Sequence, residues 1–278
     1  MAQLGARLDG IEEVVGSNPI GSTNFLKPHP QIGDDSTRSA TMLATAELDF
    51  DSDPNESSPL KSRIERDGYA VVPSCLDNET VNRLSAEFDA AAVPRRNLLA
   101  VPIVRTLAKS HAVRCLAEEI LGSECFAIKA TFFNKTAESN WKVAWHQDLT
   151  IAVRERKEVA GFGPWTVKGE IPHVQPPAEI LSRVLAIRVH LDANDKDNGP
   201  IRVLPGSHKH GRFTVEHLAT YPKSGIAVCT VPRGGALLMR PLLLHASSAC
   251  TALKPRRVIH IEFAAEELPN GLRWFDTV

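Results

Sequence analysis

The sequence predicts a mainly β protein, a β-sandwich or barrel with α-helices on one side. Two segments with apolar residues at helical spacing come first, between residues 77 and 121. Many short segments of alternating apolar and polar residues follow, from Cys125 towards the C-terminus. In three of these segments one face carries polar or cationic side chains. Helical segments followed by a run of strands are typical of a sheet covered by helices.

The helical segments follow a short predicted strand at residues 68–73. Asp77 or Asn78 can cap the first helix, because a side-chain oxygen there accepts from a free backbone N–H. A second helix is predicted from residue 110 to residue 121, where Gly122 can end it. The apolar stripe of the first helix consists of Val81, Leu84, Phe88 and Ala92. We expect both stripes to be packing surfaces.

The three strands with a polar face share one pattern. Residues two apart in a strand point the same way, so Ile128, Ala130 and Phe132 are predicted to share an apolar face. Each polar face could simply meet solvent, since buried cations are costly unless they are paired. Three such faces together favour a barrel lumen that binds an anion and a metal ion. The polar faces carry Lys129 and Thr131, Arg188 and His190, and Arg256 and His260.

Residues 154–182 interrupt the run of strands with a long stretch that is rich in Pro and Gly and mixed in charge. A connection of this length without clear periodicity is usually a functional loop or is disordered. We expect it to be a lid over the site. Its aromatic and charged residues are consistent with a mid-sized polar ligand.

The first 60 residues are rich in small and polar residues and are predicted to be a disordered extension. The folded domain is predicted over residues 61–278. Residues 16–23 (GSNPIGST) resemble the translated end of a transfer-RNA gene. One interpretation is that residues 1–41 are a mis-called start and that translation begins near Met42. The other is an ordinary flexible tail.

Composition narrows the functional class. The 278 residues contain 32 Lys and Arg against 33 Asp and Glu, so nothing predicts binding to nucleic acid or to an anionic membrane. No apolar run reaches the roughly 20 residues that cross a bilayer. The five cysteines form no CxxC pair, which predicts reduced, buried thiols in a cytoplasmic protein.

The stretch Trp145–His146–Gln147–Asp148 carries the first chemical motif. In a strand, His146 and Asp148 would aim an imidazole nitrogen and a carboxylate oxygen at one point. This is two-thirds of the two-His, one-carboxylate triad that holds non-haem Fe(II). A His-x-Asp pair is also common on protein surfaces, so the motif alone leaves both interpretations open.

Further along, residues 198–209 (NGPIRVLPGSHK) resemble a segment of the phytanoyl-CoA dioxygenase family of Fe(II)/2-oxoglutarate-dependent oxygenases. In that family a similar segment lies between a His-x-Asp motif and a distal histidine. The same order occurs here, and the resemblance runs from Gly68 to the C-terminus. It implies a double-stranded β-helix, the cupin-like jelly roll, with flanking α-helices on one side.

The resemblance implies a ligand set and a co-substrate site. His146 and Asp148 match the proximal iron ligands, and His245 matches the distal one. Arg256 lies 11 residues beyond His245, where the family places the arginine that pairs with the distal carboxylate of 2-oxoglutarate. Its planar fork suits a carboxylate. Arg257 is the rival, but strand parity predicts that it faces the other way.

Further residues are candidates for binding the co-substrate. Ser247 matches a family position that contacts its carboxylate, and Arg188 stands where some relatives carry a Trp. Its role therefore stays open between co-substrate, substrate and ion-pair partner. Lys129, Thr131 and Asn134 are weaker candidates for the other end of 2-oxoglutarate. Five other histidines are predicted to lie at the surface: His29, His111, His173, His210 and His217.

By resemblance, the protein is an oxidoreductase that uses Fe(II), 2-oxoglutarate and O₂. Three protein ligands would leave two iron positions for 2-oxoglutarate and one for O₂. The implied outcome is hydroxylation of an unactivated C–H in a small-molecule substrate, with release of succinate and CO₂. Zn²⁺ is not expected as the native metal, and the carboxylate at Asp148 argues against a halogenase.

Two alternatives stay open. The same iron centre serves cyclisation, desaturation and epimerisation of natural-product intermediates. A jelly roll can also be a non-catalytic binding or sensor protein, although the complete set of His146, Asp148, His245 and Arg256 weighs against it. The sequence predicts neither the primary substrate nor the oligomeric state.

Overall fold

The computed structural model describes residues 58–88, 95–135, 142–250 and 255–278. The predictions about residues 1–57, including the early start, lie outside these ranges, as does Ala92. The first described helix, α1, starts at Pro59, and the side chain of Ser58 caps it by accepting from the backbone N–H of Lys61, at 3.1 Å. Among the described residues, no helix is long and apolar enough to span a bilayer.

Six helices and twelve strands are named here in chain order. The helices are α1 Pro59–Asp67, α2 Asn78–Glu87, α3 Pro102–Lys109, α4 His111–Leu121, α5 Ala178–Ser182 and α6 Val215–Thr220. The strands are β1 Tyr69–Val72, β2 Phe126–Lys135, β3 Val143–His146, β4 Ile151–Ala152, β5 Trp165–Lys168, β6 Ile171–Val174, β7 Val184–His190, β8 Ile201–Val203, β9 Ala227–Cys229, β10 Ala236–Met239, β11 His245–Ser247 and β12 Arg256–Ala264.

The helices form where their caps and stripes predict. The carboxylate of Asp77 accepts from the N–H of Thr80 at 2.7 Å and begins α2, and Gly122 ends α4 at a φ of 95°. Helix α3 was not predicted, although Pro102 at its first turn is a favourable start.

A five-stranded antiparallel sheet, in the order β1-β10-β7-β12-β2, supports the helices. The apolar residues of its outer face form one core with α1 to α4, which confirms the prediction of helices on one side. The parity prediction failed for Ile128. Lys129 pairs with Glu262 but Ala127 pairs with Phe263, so Ile128 is the extra residue of a β-bulge. It therefore packs in a different core from Ala130.

The second sheet has four strands, in the order β3-β11-β8-β9. Its strand β3 ends at His146, the first residue of the His-x-Asp motif. The two antiparallel sheets, with non-consecutive strands side by side, form a jelly roll. The polar face of the five-stranded sheet holds Lys129 of β2, Arg188 of β7 and Arg256 of β12 at three different levels, opposite Glu262, His260 and Lys135. The barrel lumen predicted from strand parity therefore exists as a row of buried polar side chains.

The prediction of an irregular segment over residues 154–182 was wrong. The segment contains strands β5 and β6, which pair as a hairpin, and helix α5. Strand β6 also pairs with β4, only a few residues after Asp148. The short strands escape a search for periodicity because Pro172 and the turn at Gly169 interrupt any alternation.

Candidate metal and anion site

Three side chains converge where strands β3 and β11 pair. His146 lies directly opposite His245 in the register, and their ring centroids are 4.1 Å apart. The carboxylate of Asp148 lies 3.8 Å from Nε2 of His146 and 3.6 Å from Nε2 of His245. All three potential ligand atoms lie within 4.8 Å of one another. The predicted triad is therefore assembled on one side of the lumen.

Backbone carbonyls orient both imidazoles. Nδ1 of His146 lies 2.9 Å from the carbonyl of Ala144, and Nδ1 of His245 lies 2.9 Å from the carbonyl of Leu243. An Nδ1–H donating to these oxygens leaves each Nε2 with its lone pair free for a metal ion. Burial, together with His146, lowers the pKa of His245 to about 3, so its imidazole is neutral at physiological pH.

Asp148 completes the donor set as a carboxylate. Burial opposes its ionisation, but His245 and His146 outweigh this effect and lower the pKa of Asp148. Its side chain is 40% exposed, against 5% for His245, so a metal ion can reach the triad from solvent. Two imidazole nitrogens and one carboxylate without a thiolate fit non-haem Fe(II).

Gln147, to which the sequence assigned no role, holds the ligand segment in place. Its amide nitrogen donates to the carbonyls of Leu242 at 2.6 Å and Gly211 at 2.8 Å. Its oxygen accepts from the backbone N–H of Phe213 at 2.8 Å. Strand parity indicates this role, because a residue between two ligands must point away from the metal and into the surrounding loops.

Near the triad, two basic side chains, Lys135 and Arg256, form the candidate anion site. Arg256 is 3% exposed and pairs in register with Lys135, which is fully buried. Nζ of Lys135 donates to Oγ of Ser247 at 3.1 Å and to the carbonyl of Ser248 at 2.7 Å. The guanidinium of Arg256 donates to the carbonyl of Gly199, and its Nε has no partner among the described residues. Lys135 thus contacts Ser247 with its side chain and lies opposite Arg256 in the strand pairing.

Lys135 was missed, although the alternation that marked Lys129 and Thr131 continues through Phe133 to this position. Burial and the charge of Arg256 lower the pKa of Lys135 to about 7. Burial and Arg188 lower the pKa of Arg256 to about 9. A bound anion would therefore favour the protonated forms of Lys135 and Arg256.

Gly199, in the NGP turn of residues 198–200, allows a close approach between two backbone segments. Its φ is 67°, and a Cβ there would lie 2.5 Å from the carbonyl oxygen of Ser248. Only glycine allows this approach. The turn consequently places the carbonyls of Gly199 and Ser248 against Arg256 and Lys135.

Two other candidates lie on the opposite face of the sheet. Asn134 pairs with Arg257 and so points away from Lys135. Arg257 makes a two-pronged contact with Asp192, at 2.9 and 2.8 Å, and donates to the carbonyl of Ser85 in α2. Strand parity correctly predicted the outward position of Arg257. The structure does not bring Asn134 together with the other candidates.

Lys129 and Arg188 belong to a buried polar network above the anion site. Nζ of Lys129 lies 2.7 Å from Glu262, whose Oε1 also lies 3.0 Å from Nε2 of His260. Nδ1 of His260 lies 3.0 Å from the guanidinium of Arg188. Although burial opposes ionisation, Lys129 and His260 lower the pKa of Glu262 to about 2. Thr131 pairs with His260 on the same face.

The histidine predictions had mixed outcomes. His111, His210 and His217 are exposed, as predicted, and His29 lies outside the described residues. The prediction for His173 was wrong, because its side chain is buried in the β5–β6 hairpin with Nδ1 2.9 Å from the carbonyl of Ile171. Burial lowers its pKa to about 4.

Fold and site together define a class, a jelly-roll protein with a two-histidine, one-carboxylate metal site beside a cationic pocket. A family model described as phytanoyl-CoA dioxygenase matches residues 92–258, which is more than half of the chain and includes all three triad residues and Arg256. The chain belongs to the phytanoyl-CoA dioxygenase family.

Individual relatives are more distant. Ectoine dioxygenase of Stutzerimonas stutzeri is 23% identical over 177 residues, covering 55% of this chain and 51% of the relative. The chain thus spans about half the length of this curated relative. The apo structure of EctD from S. alaskensis aligns with a TM-score of 0.58 at 21% identity, over 79% of this chain and 80% of EctD.

A further structural neighbour was solved with ligands. The epimerase SnoN, in complex with Fe³⁺, alpha ketoglutarate and nogalamycin RO, aligns with a TM-score of 0.56 at 20% identity. The alignment covers 76% of this chain and 90% of SnoN. At these identities, the structural likeness confirms the jelly-roll fold.

Proposed function

We propose that the protein is a non-haem Fe(II)- and 2-oxoglutarate-dependent dioxygenase that hydroxylates an unactivated C–H of a small-molecule substrate. The observation that carries the proposal is the pairing of two sites in one lumen. The triad of His146, Asp148 and His245 lies beside the cationic pair of Lys135 and Arg256. 2-Oxoglutarate can chelate a metal ion at one end and carries a carboxylate at the other end. It therefore matches a metal-binding triad with an acid-binding pair beside it.

The chain's own residues divide this work. His146, Asp148 and His245 would hold the iron, while Arg256, Lys135 and Ser247 would bind the distal carboxylate of 2-oxoglutarate. Ser247 follows His245 by two residues on the same strand, so the two side chains share a face about 7 Å apart. When bound, the iron supplies the coupling of 2-oxoglutarate decarboxylation, to succinate and CO₂, with oxidation of the substrate.

The alternatives differ in outcome or in class. The likeness to the epimerase SnoN keeps cyclisation, desaturation or epimerisation of a natural-product intermediate as a second candidate. A non-catalytic jelly-roll binder is the third candidate. It is disfavoured because the metal triad and the acid-binding cations are complete.

An anaerobic titration of Fe(II) and 2-oxoglutarate, followed by visible absorption, tests the proposal. Wild type is expected to develop a weak charge-transfer band, and His146→Ala to lack it. Arg256→Ala should keep the band but need about tenfold or more 2-oxoglutarate, because it loses a charge-assisted bidentate contact. Absence of the band from iron-loaded wild type would favour the binding-protein alternative.

Affinity for 2-oxoglutarate is expected to depend on pH through Lys135. The pKa of Lys135 is about 7 in the ligand-free protein, so the side chain loses its charge as the pH rises above this value. A carboxylate favours the ammonium form, so binding takes up a proton. Affinity should therefore fall by up to about tenfold per pH unit above pH 7.

Lys135→Met provides the control for this pH dependence. Titrations at pH 6.5, 7.5 and 8.5 should give a nearly flat profile for the variant, because Met has a similar length and no charge. The same slope in wild type and variant would show that another group takes up the proton.

Residues 154–182 are proposed as a lid that shapes the substrate pocket. Strand β6 of the hairpin pairs with β4, which begins at Ile151, close behind Asp148 in the chain. Burial and the charge of Lys129 lower the pKa of His173. Lys168 also reaches Oγ1 of Thr150 at 3.4 Å. A substrate-bound structure with the hairpin remote from the metal would contradict this role.

We also propose that the protein works in the cytoplasm. Cys75, Cys115, Cys125 and Cys229 are thiols rather than disulfides in the structure, and burial raises the pKa of Cys75 to about 11 and of Cys229 to about 12. Reduced thiols of this kind are typical of a reducing compartment. Fractionation of the native cells with an antibody to the chain would test the location.

A further inference from the structure

The lumen face of the five-stranded sheet is organised in rows. Arg256 pairs with Lys135 at one end of the sheet, whereas His260 pairs with Thr131 and with Arg188 four residues further along β12. At about 3.3 Å per residue, the backbones of these two rows are about 13 Å apart. The backbone of Arg188 therefore lies in a different row from Arg256 and Lys135, although, besides burial, its charge still lowers the pKa of both.

The row of Arg188 faces the metal triad. Arg188 pairs with His260 on the polar face of the five-stranded sheet, and the triad lies on strands β3 and β11 of the other sheet of the jelly roll. Burial lowers the pKa of Arg188 and of His260, and the negative charge of Asp148 opposes this effect on both. The side chain of Arg188 is 7% exposed. A guanidinium thus lies in the wall across the lumen from the iron ligands.

Arg188 is held in place, but it makes no ion pair with the described residues. One guanidinium nitrogen bonds to Nδ1 of His260 at 3.0 Å, and the group lies 5.1 Å from the ring centre of Phe133. Among the described residues, no carboxylate lies within 4.0 Å of Arg188, and its Nε has no partner. A buried cation in this state is costly unless a ligand compensates it.

Glu262, the neighbouring acid, does not form an ion pair that would compensate the buried charge of Arg188. Oε1 of Glu262 contacts Nζ of Lys129 at 2.7 Å and Nε2 of His260 at 3.0 Å. Lys129 therefore neutralises Glu262, and the acid reaches Arg188 only through the imidazole. With Nε2–H donating to Glu262, Nδ1 of His260 accepts from Arg188 and orients the guanidinium.

The charges of the proposed co-substrate are also accounted for. One carboxylate of 2-oxoglutarate would lie between Lys135 and Arg256, and the other would lie on the metal, whose charge Asp148 already reduces. With these groups assigned, Arg188 stays without a carboxylate partner from the described residues or from the co-substrate. It thus has the properties of a binding group for a third carboxylate.

We propose that Arg188 is the specificity-determining residue of the site and that it binds a carboxylate of the primary substrate. This inference rests on the proposed function and narrows its substrate to small carboxylic acids. A guanidinium held by His260 and Phe133 presents its remaining N–H groups as a fork, the geometry that recognises a carboxylate. The Glu262–His260 pair acts through Arg188 and is a positioning element.

The test uses simple carboxylates as probes of the iron- and 2-oxoglutarate-loaded protein under anaerobic conditions. Acetate, butyrate and benzoate are each compared with the matching primary amide, and the shift of the charge-transfer band is measured. At least one acid should shift the band, without loss of amplitude, at a concentration about tenfold lower than its amide. Arg188→Gln should abolish this preference, and Arg188→Lys should retain part of it.

Controls separate substrate binding from co-substrate binding. Arg188→Gln should leave the half-saturating concentration of 2-oxoglutarate within about twofold of wild type. Arg183→Gln, at an exposed arginine paired with Glu266, should behave like wild type throughout. Equal responses to acids and amides would overturn the inference. So would a loss of 2-oxoglutarate affinity in Arg188→Gln like that of Arg256→Ala, because Arg188 would then serve the co-substrate.

A second measurement keeps the inference testable if the proposed function fails. Thermal unfolding of the metal-free protein is followed with the same acids and amides. Acids should raise the midpoint of wild type more than that of Arg188→Gln, since a ligand stabilises the folded state that it binds. A missing charge-transfer band would then count against the proposed function, whereas equal midpoint shifts in both proteins would count against the role of Arg188.

Discussion

Replacing His245 with alanine is expected to lower Fe(II) affinity by at least about a hundredfold and to abolish turnover. Loss of a residue that merely supports a ligand costs 10- to 100-fold in affinity, so loss of a ligand costs at least that much. His245 is the buried member of the triad and lies 3.6 Å from Asp148. The measurement is a metal titration together with the metal-dependent rise of the unfolding temperature, which reports binding without any need for turnover.

His173→Ala is the matched control for this prediction. His173 is also buried and has the same contact between Nδ1 and the carbonyl two residues earlier, but it lies in the β5–β6 hairpin outside the triad. Its variant should keep the metal-dependent rise in unfolding temperature. If His245→Ala kept this rise and His173→Ala lost it, the metal centre would have been placed wrongly.

The second large effect concerns stability. Phe132→Ala is expected to lower the free energy of unfolding by about 3–5 kcal/mol, because it removes a large buried side chain and leaves a cavity. The ring is fully buried and stacks on Phe88 with centroids 4.5 Å apart, so it joins β2 to the C-terminal end of α2. Chemical denaturation followed by circular dichroism measures the change.

Val167→Ala serves as the comparison for Phe132→Ala. Val167 is 64% exposed in the β5–β6 hairpin, so its truncation should change the free energy of unfolding by less than about 0.5 kcal/mol. A small effect of Phe132→Ala, similar to that of Val167→Ala, would contradict the assignment of the main core to the interface between helices and sheet.

Most of the side-chain positions that the sequence predicts correctly follow from the alternation of residues along each strand. It placed Arg256 in the lumen and Arg257 on the outer face, and the structure shows both. Parity worked for β12 because both of its faces are buried and each meets a different environment, one apolar and one polar. The parity of Arg188 and His190 on β7 held for the same reason.

The failures have identifiable physical causes. Parity breaks at Ile128 because a β-bulge adds one residue, and a bulge depends on how the partner strand pairs. Lys135 was missed because the interpretation of β2 stopped at Phe133 and Asn134, although one more step of the same alternation leads to it. The hairpin of β5 and β6 was missed because tertiary pairing with β4, rather than local periodicity, stabilises its short strands.

The separation of two side chains on β11 has a consequence for the choice of acid. His245 and Ser247 are consecutive residues of one strand face, and Ser247 contacts Lys135 at 3.1 Å. The backbone therefore fixes the distance between the metal ligand and the group that would hold a distal carboxylate. A dicarboxylic acid one methylene shorter or longer than 2-oxoglutarate could satisfy only one of the two ends. Under the proposed function, His245 and Ser247 would therefore select the co-substrate by its chain length.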